Sequence, residues 1–159
     1  MIAEALHREL SQWRPAGPGP HSFHADAGNG WSVDVTAERA ESLGCRASEV
    51  QVQRPRSPQP VSAAELTQWA VRSAARITGL LEPLRLIEVD AGRSEALLRS
   101  DKPAVRGDSL QYYELLLSGR HAARLRRIQA PRAGGRREAI PFDLTHESIA
   151  KLVEDIVAD

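Results

Sequence analysis

Residues 110–129 read LQYYELLLSGRHAARLRRIQ, and the way the two arms of this stretch pair decides the fold. Leu115 and Leu117 on one side of the Gly119 turn, and Ala123 and Leu125 on the other, recur at every second position, the period of a half-buried strand. Two registers compete. A two-residue Gly119-Arg120 turn of type II′ sets Leu115 opposite Arg124 and Glu114 opposite Leu125. A three-residue loop aligns Leu115 with Leu125, Leu117 with Ala123, and Glu114 with Arg126. Matched cross-strand pairs contribute roughly 0.2 to 1 kcal/mol each, so several of them outweigh an imperfect turn. The second register is therefore expected, with the apolar side chains on a core face and Arg124 and Arg126 on the other.

The same period governs the flanking sequence. Leu84 to Asp90 and Glu95 to Ser100 bracket Ala91-Gly92-Arg93 as an earlier hairpin. Further back, Trp31, Val33 and Val35 alternate with Ser32, Asp34 and Thr36. Their antiparallel partner is Leu43, Cys45, Ala47, Val50 and Val52, where the change of parity after Ala47 predicts a bulge. After the Arg-rich hairpin, Ala139, Ile140 and Phe142 suggest a short strand that Pro141 confines to a sheet edge. Residues 15–30, with three prolines and four glycines, read as a loop holding at most one short strand. Residues 54–60, RPRSPQP, read as a surface connection.

Three helices complete the pattern. Ile2, Ala5, Leu6, Leu10 and Trp13 mark a first amphipathic helix. Ser62 and Glu65 form a capping box ahead of Leu66, Trp69, Ala70, Ala74, Ile77, Leu80 and Leu81, a stripe that continues until Pro83 and predicts a long central helix. Thr145 caps a last helix with Ile149, Leu152, Val153, Ile156 and Val157 on one face. The expectation is a single α+β domain over residues 1–159: an antiparallel sheet of about six strands, with the long central helix and the N- and C-terminal amphipathic helices packed on it. This element order is similar to that of the class I type III secretion chaperones, small homodimers that wrap unfolded effector segments. The resemblance is one of architecture. Those chaperones are usually acidic, whereas this chain balances 21 acidic against 21 basic residues.

Charge placement points further. From Leu115 to Arg137 no acidic residue occurs beside seven arginines, Arg120, Arg124, Arg126, Arg127, Arg132, Arg136 and Arg137. Such a cluster in a neutral chain must be matched by the protein's own acids, by a partner's acids or by phosphates. Residues 138–159 hold six acids against Lys151, so a last helix lying over the basic hairpin supplies an internal match. Alternatively Arg120, Arg124, Arg126 and Arg127, with Tyr112 as a stacking ring, form a nucleic-acid-binding face. With only seven aromatic residues in the chain, stacking platforms are scarce.

Other chemistry finds little support. His21, His24 and Asp26 are too few ligands for a fixed metal centre, so neither metal nor cofactor is expected. Cys45 is the one cysteine, which excludes an internal disulfide and fits a reducing cytoplasm; in a strand beside Ala47 it reads as a small buried hydrophobe. Gly28-Asn29-Gly30 and Gly134-Gly135 do not open helices and so do not aim backbone donors at a phosphate. The first ten residues, with two glutamates and no continuous apolar core, are not expected to act as a signal peptide or membrane anchor. No run approaches the roughly 20 apolar residues of a membrane span. The chain is thus expected to be a non-catalytic cytoplasmic protein that binds another protein, as a chaperone- or adaptor-like homodimer. The alternatives are a nucleic-acid-binding module and an enzyme assembled from distant residues.

Overall fold

The computed structural model describes residues 2–158. The Arg-rich hairpin adopts the three-residue register, pairing Leu115 with Leu125, Leu117 with Ala123 and Glu114 with Arg126. Its arms are β7 (Ser109–Ser118) and β8 (Ala122–Pro131), and around them the chain runs α1 (Ile2–Gln12), β1 (His21–Gly28), β2 (Trp31–Ala40), β3 (Gly44–Gln53), α2 (Ala63–Arg76), β4 (Leu84–Asp90), β5 (Glu95–Ser100) and β6 (Ala104–Arg106), with β9 (Glu138–Ile140), β10 (Phe142–Thr145) and α3 (His146–Val157) following the hairpin.

All ten strands belong to one antiparallel sheet, in the order β1-β2-β3-β8-β7-β5-β4, with β10 on β3, β6 on β7 and β9 on β8. The register carries one core face across it: Phe23 opposes Val35, Val35 opposes Val50, Val50 opposes Leu125, Leu125 opposes Leu115, and Leu115 opposes Leu98. On that face α1 and α3 pack together over β1 and β3, while α2 covers β4 and β5. Trp31 and Trp69 meet beneath α2, their ring centroids 6.2 Å apart. The opposite face mixes polar and apolar side chains. One row of it reads His24, Asp34, Gln51, Arg124 and Leu116 across five strands.

The expected sheet of about six strands with a long central helix is corrected on both counts. The described residues form ten strands, and α2 ends at Arg76 after 14 residues. Thr78 and Gly79 explain the short helix, since a helical glycine costs about 1 kcal/mol relative to alanine. Ile77 leaves the helix with ψ 102°, and Ile77 and Leu80 reach the core from irregular backbone. The additional strands come from segments with weak local patterns. β1 lies in the glycine- and proline-rich stretch read as a loop, where Phe23, Ala25 and Ala27 face the core. β6 has three residues, too few to display a period.

Pro141 lies between two short strands, each with a single partner, rather than within one strand. β9 pairs with Arg127–Gln129 of β8, whereas β10 pairs with Gly44–Ala47 of β3, so the chain wedges between β3 and β8 where they diverge. The proline, lacking an N–H, falls where the chain changes partner. Leu43, expected in a strand, is instead exposed in the β2–β3 turn. The anticipated bulge is present: Glu49 pairs with Thr36 and Ala47 with Ala37, leaving Ser48 to donate its hydroxyl hydrogen to the Thr36 carbonyl at 3.2 Å. Both helix caps form, with Ser62 Oγ accepting from Glu65 N and Thr145 Oγ1 from Ser148 N. Among the described residues no helix is long and apolar enough to cross a membrane.

Candidate functional site

In the order β3-β8-β7-β5-β4, antiparallel strands alternate in direction, so β3, β7 and β4 all finish at the same end of the sheet. Three connections therefore converge there: the β3–α2 linker, the β7–β8 turn and the β4–β5 turn. Backbone bonds lock them together, Arg54 N donating to the His121 carbonyl at 2.9 Å and Gly119 N to the Ser94 carbonyl at 2.7 Å. Between them lies a cleft of about 530 Å³. Its charged lining is Arg54, Arg56, Arg93 and Arg120 against the single carboxylate of Glu95, together with His121.

Each group has a definite setting. The Arg54 guanidinium lies 4.5 Å from the centre of the Trp31 ring, and its Nε donates to the Arg120 carbonyl at 2.9 Å, so this arginine forms the floor. Arg56 Nε donates to His121 Nε2 at 3.2 Å, which makes Nε2 the acceptor and leaves the ring proton on Nδ1. Burial, then the charges of Arg56 and Arg54, hold His121 below its usual pKa, so it is neutral at neutral pH. Arg93 is largely exposed, its Nε 3.8 Å from Asp90, a distance at which a solvated pair contributes little. Gly119 has φ +52°, and a Cβ there would meet His121 Nδ1 at 2.6 Å; the turn needs glycine both for its backbone and to seat the imidazole.

The residues singled out from the sequence do not form one surface. Arg120 lines the cleft. Arg124 and Arg126 are on the open face as expected, but Arg124 Nε lies 3.7 Å from Glu49 and Arg126 Nη2 lies 3.2 Å from Glu114. Glu114 also receives Arg137 at 2.6 Å and Arg99 at 3.5 Å. Tyr112 is buried, with the guanidinium groups of Arg99 and Arg137 over its ring at 5.3 and 5.7 Å. Arg127 points to the helix-bearing face, donating from Nη1 and Nη2 to the two carboxylate oxygens of Glu82 at 3.3 and 3.0 Å. The acids matching the hairpin are thus Glu49, Glu82 and Glu114. The acidic α3 lies elsewhere, against α1, β1, β3 and β10.

Other candidates are engaged separately. His24 Nδ1 meets Asp34 Oδ1 at 2.7 Å on the open face, while His21 Nε2 lies 2.9 Å from the Gly17 carbonyl. The Cys45 thiol is buried and pushed up to about 11 by desolvation and by Asp143, so it is protonated and unreactive at neutral pH.

Sequence reasoning treated Arg54 and Arg56 as part of a surface connection and Arg93 as a turn residue. Their common destination depends on strand order, which no local motif carries. Comparison with protein-family models, with curated proteins and with solved structures gives no match for this chain, so the cleft's geometry carries the functional reading.

Proposed function

We propose that this protein is a non-catalytic binding protein whose cleft takes up an acidic segment of a partner protein. The observation that supports this is the concentration of four guanidinium groups against one carboxylate in the lining of one cleft, in a chain whose charges balance as a whole. Guanidinium forks match carboxylate and phosphate oxygens two at a time, and their weak hydration favours use at interfaces. The lining has no Phe, Tyr or Trp ring, because Trp31 is sealed under Arg54, and so lacks the broad stacking platform on which single-stranded nucleic acid relies. Pro55 and Val61 supply apolar wall beside the charges, as a peptide backbone and side-chain stems require.

Isothermal titration of a glutamate- and aspartate-rich peptide, beside a single-stranded oligonucleotide of equal charge, tests the reading. The acidic peptide is expected to bind more tightly. The double variant Arg56→Ala, Arg93→Ala is expected to weaken it by about tenfold or more, a loss of about 1.4 kcal/mol. Absence of peptide binding at low salt, or tighter binding of the oligonucleotide, refutes the assignment. Light scattering on the same samples reads the self-association that the free sheet edges β1 and β4 would support.

A further inference from the structure

We propose that the cleft is built for a phosphate monoester carried on the partner segment, and that His121 takes up a proton as the dianion seats. This rests on the reading of the cleft as a partner-binding site and adds the chemical class of the group it reads.

In the free protein His121 Nε2 accepts from Arg56 Nε at 3.2 Å, so one donor of the cleft is spent on one of its own acceptors. Protonation at Nε2 ends that arrangement, because an imidazolium has no acceptor. Two neighbouring donors, Arg56 Nε–H and His121 Nε2–H, then become available to one anion.

The charges around His121 decide which anion can drive this change. From the β3–α2 linker Arg56 and Arg54 act on it directly, while Arg120 of its own turn and Arg93 and Glu95 of the β4–β5 turn line the same cleft. Among four guanidinium groups and one carboxylate, a further positive charge is opposed by the field of the site. A carboxylate brings one negative charge, which Arg56 alone satisfies. A phosphate monoester brings up to two, on three acceptor oxygens, with a second pKa of about 6. It matches Arg56 and an imidazolium together, and each resulting bond is charge-assisted. The proton comes from solvent, or from the phosphate itself when it arrives as the monoanion: an O–H bond is exchanged for the Nε2–H bond, and no other covalent bond changes.

The test uses the full chain and three peptides identical except for phosphoserine, glutamate or serine at one position, with free phosphoserine as a fourth ligand. Titration calorimetry near pH 7 in two buffers of different ionisation heat reads proton uptake. Imidazole NMR reads the protonation of His121 in the free and saturated protein. The phosphoserine peptide is expected to bind about tenfold more tightly than the glutamate peptide, with net proton uptake and with His121 titrating at higher pH when the cleft is filled. His121→Gln is expected to lose that uptake and, with it, the phosphoserine peptide's advantage over the glutamate peptide, and the wild-type NMR titration stands independently of this variant.

Equal affinity for the phosphoserine and glutamate peptides, or tight binding without proton uptake at His121, overturns the inference and leaves the acidic-segment reading intact. Free phosphoserine binding as tightly as its peptide overturns the partner-segment part of the proposal. Failure of every anion to bind removes both readings together.

Discussion

At the first turn of α3, His146 is enclosed by α1 and the β2–β3 turn, its backbone N–H donating to the Leu43 carbonyl at 2.9 Å. Burial, followed by the nearby charges of Arg14 and His7, lowers its pKa, and the backbone at Ser42 and Gly44, which pulls the other way, does not reverse the shift. The consequence for stability has a definite sign. An unfolded histidine gains its proton near pH 6.5 and the folded one only at lower pH, so the unfolded state binds more protons as pH falls through that window. Stability present above about pH 6.5 is lost toward the lowered folded value. His121 adds to the same trend, its pKa being lowered too. Thermal unfolding is therefore expected at lower temperature at pH 5.5 than at pH 7.5, and His146→Leu should flatten part of that dependence. A variant that keeps the full wild-type slope would show that His146 is not the group responsible.

At the scale of elements, α2 is set by its ends. Ser62 Oγ accepts from Glu65 N at 3.1 Å and stands 3.1 Å from Glu65 Oε1, closing the first turn. Ser62→Ala is expected to lower stability by about 1 kcal/mol in chemical denaturation, the usual worth of such a cap. A change indistinguishable from zero would mean that packing of Leu66 and Trp69 alone sets where the helix begins. Caps of this kind, the β7–β8 register and the Ser48 bulge were legible because each depends on residues close in sequence or on one matched pattern. The C-terminal limit of α2 was not: Ile77 and Leu80 continue the apolar stripe, and burying them from irregular backbone satisfies the same periodicity as burying them from a helix. β9 and β10 were seen as one edge strand because the divergence of β3 from β8 that they fill is a property of the sheet. The cleft was hidden for a related reason. Arg54 and Arg120 lie far apart in the chain and become neighbours only once β8 pairs with β3, an alignment that local period does not encode.

Across the whole molecule, five of the seven arginines in the acid-free stretch from Leu115 to Arg137 are divided among three places. Arg120 goes to the cleft, Arg127 to the helix-bearing face with Glu82, and Arg124, Arg126 and Arg137 to the open sheet face with Glu49 and Glu114. Glu114 is the pivot of the last group: one nearly buried carboxylate holds Arg99, Arg126 and Arg137, and two of those three guanidinium groups cover Tyr112. Removing its charge leaves three adjacent arginines without their shared counter-charge, beside the ring they shield. Glu114→Gln keeps the shape and much of the hydrogen bonding, so the variant should fold while its open face turns basic. It is expected to show stronger retention on heparin and tighter, salt-sensitive binding of single-stranded oligonucleotides than the wild type, because arginines once matched by the protein's own acid become available to phosphates. Circular dichroism establishes that the variant is folded. A folded Glu114→Gln protein with wild-type retention would mean that this face is neutralised by Glu88 and Glu138, which line the same hollow, and that the balance of the hairpin does not turn on Glu114.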